Sequence, residues 1–126
     1  MIKKTALAAA ALLAAFAVAY CLYGMRAAAV IRKLSGMRMA VALYSLENKR
    51  PPAAFENTLA SGKLEAAPYL KLSRHSGSSA VRNVPAFEVK DTGGWAYVND
   101  PKDRNYGLVF IDCSHADEKG RFWSEF

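Results

Sequence analysis

Cys113 and His115 form the pairing that comes nearest to nucleophilic chemistry in this chain. Two apart on an extended segment, they share a face, where an imidazole could draw the proton from a thiol. No third residue at a recognisable spacing orients that imidazole, and cysteine is commonly just a small buried side chain. His75, beside Ser76-Gly77-Ser78-Ser79, reads as a solvated loop residue. Asp100, Asp103, Asn105 and Asp112 carry the hard oxygens that Ca²⁺ prefers, but they match no complete ligand loop and serve equally well as turn residues. A glycine-rich phosphate loop, a zinc-ligand spacing and a paired acid/base motif are all missing. The sequence thus assigns no catalytic, cofactor-binding or metal residue, and it reads as a non-enzyme. Phe122, Trp123 and Phe126 form either a partner-binding patch or a tail that folds back over the sheet.

The elements that would position these residues begin with Met1-Ile2-Lys3-Lys4 and an uncharged run from Thr5 to Gly24. As a helix that run reaches about 30 Å, the thickness of a bilayer's hydrocarbon core. It reads as a membrane anchor, or as a secretory signal cut after Ala17-Val18-Ala19. The anchor is favoured because the helical pattern continues: Ala27, Val30, Leu34, Met37, Val41 and Tyr44 recur at alternating spacings of three and four. Pro51-Pro52 ends it. A single helix of about 45 residues is therefore expected, with an apolar first half (1–24) and an amphipathic second half (25–50). Val30 and Leu34, close to the membrane, are expected to meet neighbouring helices.

Residues 51–126 form the head. A short helix is expected at Thr58-Leu59-Ala60, capped by Asn57 and ended by Gly62. The period then changes to two in Pro85–Lys90, followed by Trp95–Val98 and Gly107–Asp112. An antiparallel meander of three or four strands packed on the long helix, an α+β fold, follows from that order.

Charge divides the chain. Residues 1–50 hold eight Lys/Arg against Glu47, a balance of +7, and residues 51–126 hold nine against ten acids, a balance of −1, which together give the net +6. The head lacks the positive excess that phosphates need, which excludes a nucleic-acid-binding domain. Cys21 and Cys113 are too differently placed to bridge, so two free thiols are expected.

Over residues 25–126 the chain resembles the type IV pilin and type II secretion pseudopilin superfamily. The resemblance is carried by Leu43-Tyr44-Ser45-Leu46-Glu47-Asn48-Lys49-Arg50-Pro51-Pro52, similar to that family's helix end. Gly93-Gly94-Trp95-Ala96-Tyr97, Gly107-Leu108-Val109 and the tail Asp117–Ser124 add to it. Lys3-Lys4-Thr5-Ala6-Leu7-Ala8 departs from the family's glycine and Thr-Leu-Ile-Glu processing signal, and the cysteine-bounded loop of major pilins is missing, which leans toward a pseudopilin. The resemblance implies a structural subunit that assembles through its N-terminal helix in a type II secretion or type IV pilus machine. Its partners would be other pilin-like subunits and inner-membrane assembly proteins. It would sit in the bacterial inner membrane by a single pass, with the N-terminus cytoplasmic and the head periplasmic or extracellular. The alternative is a secreted periplasmic binding module with its signal removed.

Overall fold

Alanine and leucine, both strong helix formers, dominate the first helix. In the computed structural model, which describes Met1–Phe126, α1 spans Ile2–Leu22 and none of its residues is buried. It is the one helix long and apolar enough to cross a membrane.

The helix does not run on. Tyr23 and Arg26 are extended, and a second helix, α2, begins anew at Ala27 and ends at Asn48. The single 45-residue helix expected from the periodicity is therefore two helices joined by an elbow. The cause is tertiary. A helix end leaves its last carbonyls without partners, and here the segment Lys71–Arg74 supplies them. Arg74 N–H donates to Cys21 O at 2.6 Å, the Ser73 hydroxyl to Leu22 O at 3.0 Å, and the Lys71 ammonium to Tyr23 O at 2.6 Å. Met25 N–H in turn donates to Lys71 O at 2.8 Å. Gly24 permits the close passage: a β-carbon there would lie 2.6 Å from the backbone nitrogen of Ser73.

The apolar stripe on α2 is real. Ala27, Val30, Leu34, Met37 and Val41 are all buried, with Ala40 beside them. Their partners are Trp95, Tyr97, Val109 and Ile111 of the sheet, with Phe55, Leu70, Leu72, Cys113 and Trp123. Val30 and Leu34 are thus sealed by the head itself, and the expectation that they face other helices is overturned. Glu118 receives the first N–H of α2, that of Ala27, at 3.0 Å, and so closes the helix start from the far end of the chain.

A short helix, α3, covers Phe55–Ala60, three residues earlier than its Asn57 cap suggested. The Asn83 side chain receives Phe55 N–H at 2.9 Å in the capping role. Three strands follow: β1 (Val81–Val84), β2 (Trp95–Val98) and β3 (Val109–Ile111), in the order β1-β2-β3. The last two agree with the alternation in the sequence. Pro85–Lys90 is not a strand, however, and β1 pairs with β2 in parallel, so the sheet is mixed and not a meander. A parallel pair needs a connection that crosses a face of the sheet. Residues 85–94 make that crossing, with Phe87 edge-on to Phe110 at 4.7 Å between ring centroids. The apolar–charged alternation of Pro85–Lys90 therefore records a segment lying over a sheet. Beneath it Val84, Ala96, Val98 and Phe110 form a second small core. The polar ends of three large aromatics are satisfied by backbone carbonyls: the Trp95 indole donates to Pro68 O, Tyr97 to Pro52 O and Tyr106 to Pro51 O.

Candidate metal centre

Three separate loops converge just past the end of β3. Cys113 and His115 follow the strand directly, and their Sγ and Nδ1 atoms lie 3.4 Å apart, as two residues sharing a face should. His75 joins them from the loop that braces the elbow. Its Nε2 lies 3.4 Å from Cys113 Sγ and 3.2 Å from His115 Nδ1. Its side chain is only 10% exposed, so the reading of His75 as a solvated loop residue is corrected. Asp91 completes the group, with Oδ1 3.2 Å from His75 Nε2 and 3.5 Å from His115 Nδ1. All four donor atoms lie within 4.8 Å of one another.

Each member is held by its surroundings. Asp91 sits in the left-handed region at φ 61°, unusual for a residue with a side chain. Its loop is fixed by Asp112, whose buried carboxylate receives the backbone N–H groups of Lys90, Asp91 and Thr92, the Thr92 hydroxyl and the Arg82 guanidinium. Burial alone would raise the Asp112 pKa, but the Thr92 hydroxyl and those backbone donors outweigh it and hold the carboxyl below its ordinary value. Gly93, at φ 74°, leaves room for the imidazole: a β-carbon there would fall 2.1 Å from His75 Cγ.

Hydrogen bonds tune the donors. Ser114 N–H gives to Asp91 Oδ1 at 2.9 Å and is the main reason the Asp91 carboxyl lies below its usual pKa. His115 N–H reaches Cys113 Sγ at 3.3 Å. That bond does not offset burial, which pushes the Cys113 thiol up to about 11 with help from the Asp91 charge. A thiol held there is protonated at neutral pH, and a protonated thiol is a poor nucleophile. Burial thus works against an activated sulfur in the Cys113–His115 pair.

The other sequence candidates fall elsewhere. Asp112 lies at the Trp95 end of β2, its Arg82 ion pair and loop contacts occupying both carboxylate oxygens. Asp100 follows the opposite end of β2, and it and Asp103 each receive a backbone N–H within their own turn, from Lys102 and Asn105. The four oxygen-bearing residues Asp100, Asp103, Asn105 and Asp112 are not gathered into one calcium loop. Trp123 is buried in the main core, while Phe122 is exposed, so the tail folds back as one of the two readings expected. Cys21 and Cys113 are both free thiols.

His75 and Asp91 were missed because they lie 40 and 24 residues before His115, joined to it only by the crossing of the chain. Asp91-Thr92-Gly93-Gly94 reads as turn chemistry, and the turn is indeed there; nothing in its spacing says that one carboxylate faces two imidazoles. Compared with known proteins, the chain matches no family model, no curated protein and no solved structure.

Proposed function

We propose that the chain is a membrane-anchored, pilin-like structural subunit that assembles side by side with similar subunits through its N-terminal helices. One observation carries this reading: the head seals the inner face of α2 completely yet buries no residue of α1 and touches it only at its last turn. An uncovered apolar helix of 21 residues needs lipid, other helices or both. The outer face of α2 adds support. Met39, Leu43 and Leu46 are exposed large apolar residues at spacings of four and three, one stripe pointing away from the head. The residues of the pilin resemblance also fall at structural joints: Trp95-Ala96-Tyr97 in β2, Gly107-Leu108-Val109 leading into β3, and Asn48-Lys49-Arg50-Pro51 at the end of α2. With Lys3 and Lys4 abutting the span, the N-terminus lies in the cytoplasm and the head on the far side.

A reporter fused after Phe126 tests the topology, and in-membrane cross-linking tests the assembly. The fusion is active only outside the cytoplasm, and the protein stays in the membrane fraction through an alkaline wash. With Cys21→Ser in place and Cys113 left within its buried cluster, Leu43→Cys gives cross-linked dimers or products with pilin-like partners. Recovery in the soluble periplasm with Tyr20 as the first residue would establish the secreted module instead. A membrane-bound chain that never cross-links from position 43 would remove the assembly role.

A further inference from the structure

We propose that His75, Asp91, Cys113 and His115 bind one Zn²⁺ ion in a closed tetrahedral site that staples the elbow-bracing loop to the end of the sheet. The inference goes beyond the assembly role and stands independently of it.

The distances carry the argument. Zinc bonds of about 2.0–2.2 Å to nitrogen or oxygen and about 2.3 Å to sulfur, set at tetrahedral angles, require donor–donor separations of roughly 3.3–3.6 Å. Five of the six separations here are 3.2, 3.2, 3.4, 3.4 and 3.5 Å, and the sixth, between Cys113 Sγ and the Asp91 carboxylate, is within 4.8 Å and closes further when an ion is bound. Hydrogen bonding does not explain such a set. A ring nitrogen has a single in-plane direction, along which it donates one proton or accepts one. Yet His75 Nε2 faces three heavy-atom donors at once, the Nδ1 of His115, Sγ of Cys113 and Oδ1 of Asp91, and His115 Nδ1 likewise faces three. Mutual closeness of four atoms from three loops is what a shared central cation produces.

The donor set selects the ion. One thiolate and two imidazoles exclude Ca²⁺ and Mg²⁺, which take oxygen ligands, and suit a borderline-soft ion. Four protein ligands leave no open position for water, the mark of a structural zinc site. The charges balance, since one thiolate and one carboxylate neutralise the divalent ion. Cys113 loses its proton to solvent as the Zn–S bond forms, and no oxidant or reductant is involved. The outer contacts are of the kind that accompany bound metals: Ser114 N–H on the Asp91 oxygen, His115 N–H on the sulfur, and the Asp112 carboxylate fixing the Asp91 loop.

The site's position gives it a role. His75 directly follows Ser73 and Arg74, which hold the last carbonyls of α1. A metal bound there fastens the elbow's brace to Asp91 in the crossing segment and to Cys113 and His115 beyond β3.

Full-length protein purified in detergent, stripped with a chelator and reloaded, tests the proposal. Elemental analysis gives one zinc per chain. Substitution by Co²⁺ gives intense visible bands of tetrahedral cobalt with a sulfur-to-cobalt charge-transfer band, and Cys113→Ser removes that band. His75→Ala and Asp91→Asn, both at partly exposed positions, keep the native circular dichroism spectrum. His75→Ala weakens Zn²⁺ affinity by more than the roughly 10–100-fold that loss of an outer-shell partner costs. Chelation lowers the melting temperature of the parent and leaves that of His75→Ala unchanged. The proposal is overturned by substoichiometric zinc after reloading, by an octahedral cobalt spectrum without the charge-transfer band, by unchanged affinity in a folded His75→Ala chain, or by preference for another transition ion at full occupancy.

Discussion

Tyr97 buries its ring in the main core, 5.9 Å from Phe55 between centroids, and gives its hydroxyl proton to Pro52 O at 2.6 Å. Burial, and to a lesser degree the neighbouring Tyr106 and Tyr44, raise its pKa above the ordinary value. The sign of the linkage follows. Above about pH 10 an unfolded tyrosine ionises while the folded one stays neutral, so the unfolded state holds fewer protons and stability falls as pH rises. The contribution is fully present below that pH and lost above it. Titration of the native protein by ultraviolet absorbance should leave one tyrosine unionised until the fold collapses. Tyr97→Phe should flatten the alkaline loss of stability while costing about 1–3 kcal/mol at neutral pH, because Pro52 O loses its donor; a titration in which all six tyrosines ionise before unfolding contradicts this. Residue-scale chemistry was only half legible in the sequence. The pairing of Cys113 with His115 could be read from alternation on an extended segment. Their meeting with His75 and Asp91 could not, because it depends on the left-handed turn that Asp112 imposes and on the space left by Gly93.

Elements were legible where local pattern and tertiary packing agree. The stripe from Ala27 to Val41 and the aromatic β2 were clear because a two-faced element must show its buried face in its period. The elbow was invisible for the opposite reason. Tyr23-Gly24-Met25-Arg26 contains no proline and little that stops a helix, and the break exists because Lys71–Arg74 takes over the carbonyls of α1. Strand β1 was hidden by Pro85–Lys90, whose alternation arises from crossing a sheet and not from pairing within it. The same packing makes a quantitative forecast for Trp95, which is 1% exposed and lies between α2 and the sheet. Trp95→Ala removes the ring from the core and leaves Pro68 O without its donor. The expected loss is about 3–5 kcal/mol, a large share of a small domain's stability. Denaturant unfolding measures it, and a change below roughly 1 kcal/mol would mean that the site collapses around the smaller side chain.

At the scale of the molecule, a bare apolar helix and a folded head meet at one short junction. No residue of α1 is buried, and its contacts with the head lie at its last turn, where Tyr20, Cys21 and Leu22 meet Lys71, Ser73, Arg74 and Gly77. A chain beginning at Tyr20 keeps those contacts. It should fold without detergent and unfold in a single transition within a few degrees of the full-length protein. Aggregation of the shortened chain, or loss of its cooperative transition, would show that α1 contributes to folding of the head. The charge division falls elsewhere, after the end of α2: the positive excess lies in residues 1–50 and residues 51–126 are nearly neutral.

The elbow has a mechanical consequence. Tension on α1 reaches the head along two routes: the covalent chain into α2, and the hydrogen bonds that hand Cys21, Leu22 and Tyr23 to the strip Lys71–Arg74. The second route leads within one residue to His75. Load applied through α1 is thereby shared with the loops carrying Asp91, Cys113 and His115 before it can peel α2 from the sheet. Stretched between Met1 and Phe126 in an optical trap, the zinc-loaded chain should yield at a higher force than its His75→Ala counterpart. Equal rupture forces would mean that α2 bears the pull alone, and the elbow would then act as a free hinge.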